Sequence, residues 1–150
     1  MKVRLLFFAF ASCFVATSLY AGTPEQEKAF VEKYKKAFEA GDKATLQSFL
    51  YTQGANPMVL EFYKKMQGDG VGQKISKIEL LDLSPQDVKK ADAVMDAPGG
   101  QKVRLPLKPS KKLKITIETK TADTTSTSST ESFIAEKDGN YVIPVPASMK

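Results

Sequence analysis

Thr23-Pro24-Glu25-Gln26-Glu27-Lys28-Ala29-Phe30-Val31-Glu32-Lys33-Tyr34-Lys35-Lys36-Ala37-Phe38-Glu39-Ala40-Gly41-Asp42 is the stretch whose reading decides the architecture. Thr23 is a good N-cap, Pro24 stands at the first helical position where its missing N–H costs nothing, and Gln26 completes a capping box. Glu25 and Glu27 place negative charge at the positive end of the helix dipole. Phe30, Val31, Tyr34, Ala37 and Phe38 then recur at the spacing of one helical stripe. The other face is charged, and Glu32 is placed to pair with Lys36 one turn on. Gly41 closes the helix as a left-handed cap.

Asp42 restarts the chain as the cap of a shorter helix carrying Leu46, Phe49 and Leu50. Residues 51–55 make a turn, and Asn56-Pro57 repeats the cap-plus-proline signature. The third helix is expected to bury Val59, Phe62, Tyr63 and Met66 and to stop at Gly68-Asp69-Gly70. None of these helices can bury its stripe alone, so they need a sheet or one another.

Before Thr23 the chain reads as an export signal. Lys2 and Arg4 give a basic start, Leu5 to Val15 is an apolar run, and Ser18-Leu19-Tyr20-Ala21 offers a cleavage point after Ala21. The run is short for a membrane span. Ala11-Ser12-Cys13 offers an alternative, lipid attachment at Cys13, although Phe10 fits that pattern poorly. Residues 1–21 are thus read as a signal peptide and 22–150 as one α+β domain, 129 residues long and large enough for a real core. Losing Lys2 and Arg4 lowers the net charge from +5 to +3, a mild balance that bears on solubility and not on nucleic acid. Export without disulfides suits a bacterial periplasm or envelope.

The missing residue types narrow the chemistry. Beyond residue 21 there is no His, Cys or Trp and a single arginine, Arg104. Ser-His-Asp and Cys-His catalysis are excluded, as are zinc and haem sites built on His or Cys. Carboxylate, tyrosine, lysine and hydroxyl chemistry stay open. No cofactor and no metal is expected.

After the helices the period changes from 3.6 to 2. Ile75 to Leu83 reads as a strand whose alternation shifts at Leu80-Leu81, which suggests a β-bulge. Ser84-Pro85-Gln86-Asp87 starts a brief helix through Ala91. Asp96-Ala97-Pro98-Gly99-Gly100 is a hairpin loop between Val94-Met95 and Val103-Leu105. Leu113 to Lys120 alternates cleanly, and Thr121–Thr125 is a loop into an exposed strand faced with Thr and Ser. Lys137-Asp138-Gly139-Asn140 turns the chain between two further strands. Pro144 and Pro146 remove N–H donors on one side of the last strand, so that side is expected at a sheet edge or end. Helices followed by antiparallel strands define an α+β fold with the helices on one face of a bent sheet.

Phe30 to Asp42, a first helix ending in Ala-Gly-Asp, followed by a short helix with Leu46, Phe49 and Leu50, resembles the NTF2-like superfamily, and here an exported bacterial member of it. The resemblance implies a cystatin-like cone, a curved antiparallel sheet wrapped around N-terminal helices. Its catalytic members use an Asp or His base with a Tyr or a protonated acid as oxyanion partner. No histidine exists here to take that role, and no acid of this chain matches those positions. The fold also hosts non-catalytic pockets, so the resemblance implies a binding module above an enzyme.

Tyr34, Phe38, Phe62, Tyr63 and Met66 are the candidate ligand-binding residues, lining the cone for a small apolar molecule with the tyrosine hydroxyls as polar anchors. The same spacing also suits plain packing. The basic run Lys108 to Lys114 has no interleaved aromatics and reads as a solvated loop and strand edge, or as a contact for anionic lipid headgroups, cell-wall polymer or an acidic partner in the envelope. Asp82, Asp87, Asp92 and Asp96 match no calcium loop and read as caps and solvated acids. An acid/base site among Glu61, Asp69 and Glu79 requires burial of one of them. Three readings follow: an exported module holding an apolar ligand, an envelope interaction or dimerisation module, and a small isomerase or hydro-lyase working without histidine. No nucleic acid and no membrane-spanning segment is expected.

Overall fold

The computed structural model describes residues 22–149; the expected signal peptide over 1–21, with Cys13 and the cleavage point, lies outside the described residues, as does Lys150. Helix α1 spans Pro24–Glu39. The Thr23 hydroxyl accepts from the Gln26 N–H at 3.2 Å while Gln26 Oε1 accepts from the Thr23 N–H at 3.1 Å, the reciprocal cap that the sequence predicts. At the other end Gly41, at φ 75°, lets its own N–H reach the Phe38 carbonyl (3.2 Å) and the Asp42 N–H reach that of Ala37 (2.9 Å). These paired bonds satisfy carbonyls that would otherwise be orphaned. Glu32 pairs with Lys28, at 3.9 Å, and not with Lys36; the pair is exposed and contributes little.

Asp42 caps α2 (Lys43–Ser48), Asn56 caps α3 (Pro57–Gly68) and Ser84 caps α4 (Pro85–Asp92). The strands are β1 (Leu50–Tyr51), β2 (Lys77–Asp82), β3 (Met95–Asp96), β4 (Lys102–Arg104), β5 (Pro109–Lys120), β6 (Thr125–Lys137), β7 (Asn140–Pro144) and β8 (Ala147–Ser148). They form a curved main sheet in the order β1-β7-β6-β5-β2 and a small sheet in the order β3-β4-β8. Every pairing is antiparallel except β1 with β7, which is parallel.

The two prolines explain that exception. The Ile143 and Val145 N–H groups donate to the carbonyls of Phe49 (2.8 Å) and Tyr51 (3.1 Å). Pro144 and Pro146 alternate with them and so face the β6 side, where pairing stops at Ala135↔Val142. The proline side is therefore a sheet end, and the opposite side is free to take β1.

Two expectations are corrected. The bulge at Leu80-Leu81 is absent, since β2 pairs with β5 residue for residue from Lys77↔Thr116 to Asp82↔Lys111. The register shift lies in β5 instead, between Pro109 and Lys111. The run Lys108 to Lys114 is not a strand edge; most of it forms the start of β5, flanked on both sides by strands. Its lysines survive there because carboxylates meet them. Lys111 contacts Glu27 (3.2 Å) and Asp82 (2.8 Å), and Lys112 contacts Asp87 (3.1 Å) and Glu131 (3.0 Å).

Phe30, Tyr34, Ala37 and Phe38 of α1 pack with Leu46, Phe49 and Leu50 against Leu113, Ile115, Ile134 and Ile143 of the main sheet. The cluster continues into Ala97, just after β3, and Val103 of β4 in the small sheet. Helix α1 therefore sits against the curved sheet as the helical stripe requires.

Asp87 links α4 to the main sheet. Its carboxylate accepts from the Ser84 hydroxyl at 2.7 Å, the Ser84 N–H at 3.0 Å and Lys112 Nζ at 3.1 Å. Those donors, the Ser84 hydroxyl foremost, hold its pKa down, from 3.8 to about 2. A depressed folded pKa contributes stability above the unfolded value, and that contribution is lost as pH falls from about 4 toward about 2. Acid titration of Asp87→Asn should show a shallower loss of stability across that window than the parent protein. Equal slopes would dissociate this carboxylate from the acid transition.

Candidate functional site: an apolar groove beside the third helix

Helix α3 is fixed by its cap. Asn56 is fully buried, and its side-chain oxygen accepts from the N–H groups of Met58 (3.1 Å) and Val59 (3.2 Å). Its amide nitrogen donates to Gln101 Oε1 (2.6 Å) and Ser148 Oγ (3.1 Å), and its backbone N–H donates to the Pro146 carbonyl (3.0 Å). One side chain thus starts the helix and ties it to the loop after β3 and to β8.

From that anchor the inward stripe of α3 runs Val59, Leu60, Tyr63, Met66 and Gln67, all buried or half-buried. Phe62 is not on it. One residue corresponds to about 100° of helical rotation, which carries Phe62 off the stripe and leaves it 58% exposed. The expectation that Phe62 is buried is therefore corrected. Its ring meets Tyr63 edge-on, with centroids 6.4 Å apart and planes at 73°.

A groove of about 370 Å³ lies between this edge of α3 and the small sheet. Val59, Phe62 and Tyr63 form one wall, and Met95, Ala97 and Val103 form the other. Asp96, at its rim, is held by Lys102. The size and apolar character suit a small organic molecule, with the Tyr63 hydroxyl and the Asp96 carboxylate as the ionisable groups of the lining.

The remaining candidates fall elsewhere. Tyr34 and Phe38 are each 4% exposed and belong to the core. The Tyr34 hydroxyl donates to Gln67 Oε1 at 2.9 Å, and burial pushes its pKa up to about 12. Met66 borders a gap of about 20 Å³ shared with Tyr34, Tyr63 and Ile115, roughly the room of one water. The interior of the cone is filled at that point. The structure joins Phe62 and Tyr63 in an outer groove, Tyr63 also borders the inner gap with Tyr34 and Met66, and Phe38 lines neither.

The small-sheet wall was not legible as part of a site. Met95 and Val103 were visible as hairpin residues, but nothing local says that their hairpin faces α3. A second hollow of about 310 Å³ lies beside α1, with Phe30, Phe49 and Tyr141 on its floor and Lys33 at its edge. Lys33 Nζ stands 5.5 Å from the centre of the Phe49 ring.

The acids take structural places. Glu61 pairs with Lys64 (2.7 Å), Glu79 with Lys77 (2.9 Å), and Asp69 follows the end of α3. Asp87 is the buried acid among the described residues, and its pKa is lowered, the opposite of an acid kept protonated near neutrality. No helix among the described residues is long and apolar enough to cross a membrane.

Fold and groove define the class: an α+β protein with helices against a curved sheet and an apolar hollow outside the cone. Two solved structures are similar to it. One is named Rd1NTF2_05 and carries five substitutions; it shares 11% identity over 81% of this chain and 95% of its own, with a TM-score of 0.38. The other is an NTF-2 like protein of unknown function from Shewanella oneidensis MR-1, with 12% identity over 85% of this chain and 100% of its own, and a TM-score of 0.38. No family model matches the sequence, and no curated protein matches it.

Proposed function

We propose that this protein is an exported, non-catalytic binding module that holds a small apolar molecule in the groove between α3 and the small sheet. The supporting observation is the groove itself, about 370 Å³, with an aromatic side chain, Phe62, left 58% exposed at its wall. A large apolar residue in that position gains little from folding and is available to a ligand. The basic, then apolar N-terminus supports export, and the periplasm or the exterior is the proposed location.

Native mass spectrometry of the purified protein should show a co-purified small molecule. Titration with indole as a probe should shift the NMR signals of Val59, Met95 and Val103. Phe62→Ala should weaken that binding about tenfold, the loss of one aromatic contact, while changing stability by less than about 0.5 kcal/mol. Indole shifts confined to other residues, or unchanged affinity in Phe62→Ala, would remove the groove as the site.

A further inference from the structure

Strand β6 is paired on only part of one edge. It pairs with β5 along Thr125 to Ala135, but with β7 only from Ala135 to Lys137. Thr125 through Glu131 are exposed. Edges of this length are usually blunted by lysine, proline or a bulge. This one carries Thr125-Ser126-Thr127-Ser128-Ser129-Thr130-Glu131, without any of the three.

The register says which backbone groups the edge presents. At the β5–β6 turn the Thr121 N–H donates to the Thr124 carbonyl at 2.8 Å. Hydrogen-bonded and non-bonded pairs alternate from there, so Ser126, Ser128 and Thr130 bond toward β5. Lys137 and Asn140 close the tight β6–β7 turn, with Asp138 at φ 51° and Gly139 at φ 76°, which makes the odd-numbered residues of β6 face the β7 side. Both ends agree. Thr125, Thr127, Ser129 and Glu131 aim their N–H and C=O groups at the open edge.

We propose that this edge is an interface on which a second copy of the chain adds antiparallel, β6 to β6, about a two-fold axis at Ser128. That axis sets Thr127 opposite Ser129 and Thr125 opposite Glu131, so outward-facing residues meet outward-facing residues along the whole exposed segment. Charge favours it. Glu131, the one charged residue of the segment, does not meet its own copy, and its carboxylate is already beside Lys112 (3.0 Å). Thr125 pairs with Lys120 in its own hairpin, so each Glu131 arrives one strand away from the partner's Lys120. Ser126 falls opposite Thr130, a pairing of hydroxyl side chains that supports adjacent strands. The main sheet then runs unbroken through both copies. This interface lies on the main sheet and is independent of the groove beside α3.

The test is hydrogen exchange read residue by residue with the oligomeric state. At high protein concentration light scattering should report a dimer, and the amides of Thr127 and Ser129 should exchange about tenfold or more slowly than in dilute solution, as amides do when a ladder forms. Ser129→Pro removes an outward N–H without breaking a backbone bond to β5; it gives up only the exposed hydroxyl contact with Thr116 at 3.3 Å, and should be a folded monomer with the parent's circular dichroism. Thr127→Lys should weaken the dimer through like charge near the axis. A monomer at every concentration with fast Thr127 and Ser129 amides overturns the proposal. So does a dimer that persists in both variants, or protection of these amides only by a different protein.

Discussion

Phe38→Ala should lower unfolding stability by about 3–5 kcal/mol, the range for truncating a buried phenylalanine to alanine. The ring is 4% exposed and stands under the loop after α3. A Cβ placed at Gly70 would lie 3.5 Å from Phe38 Cζ and 3.2 Å from Ile117 Cδ1, and Gly70 sits at φ 74°. The loop therefore runs close over the ring because it has glycine there. The bond from the Gly72 N–H to the Phe38 carbonyl, 2.8 Å, uses backbone and survives the substitution, so the cavity cannot simply be closed by collapse of the loop. Domains of this size hold about 5–15 kcal/mol in all, and a urea titration should show the midpoint move far to lower denaturant. Indole binding by the folded fraction should stay as in the parent. A cost below about 1 kcal/mol, or selective loss of binding, would return Phe38 to the ligand site and out of the core.

Phe38 and Phe62 were alike to sequence reading, and the contrast shows what periodicity can resolve. The caps at Thr23, Asp42, Asn56 and Ser84 were legible because each cap is made within three residues of itself. The Asp138-Gly139 turn was legible for the same local reason. The inward side of α3 was not. Apolar residues lie on both flanks of its stripe, and the position that finishes it is Gln67, polar but buried because Tyr34 bonds to it. A glutamine taken as exposed tilts the stripe toward Phe62. Strand β1 was invisible because two residues have no period and are held by a parallel partner nearly a hundred positions away. The place of the basic run inside the sheet depended on Glu27, Asp82, Asp87 and Glu131, which come from four separate segments. The groove was half legible, since α3 supplied Phe62 and Tyr63 while its facing wall comes from a hairpin whose docking is tertiary.

Asn56→Ala should cost about 2–3 kcal/mol and loosen the groove along with the fold. Losing an N-cap costs about 0.5–2 kcal/mol, and here the Val59 N–H is buried beneath it. The bonds to Gln101 and Ser148 go as well. Both partners are exposed, so water re-satisfies them and the added cost stays near 1 kcal/mol. Asn56→Asp separates the two parts. Its carboxylate keeps the acceptor for Met58 and Val59 and suits a helix N-terminus, but it has no N–H to donate, so Gln101 must turn its amide and Ser148 its hydroxyl to donate instead. It should recover part of the cap while remaking the tie to the small sheet in a changed geometry around a buried charge. Val59, Phe62 and Tyr63 follow within two turns of the cap and face Met95 and Val103 across the groove. Helix fraying in Asn56→Ala should therefore weaken indole binding, and in Asn56→Asp the helix should hold while the facing wall shifts. If both variants keep parental stability and affinity, the cap does not set the groove, and the position of α3 must come from its buried stripe alone.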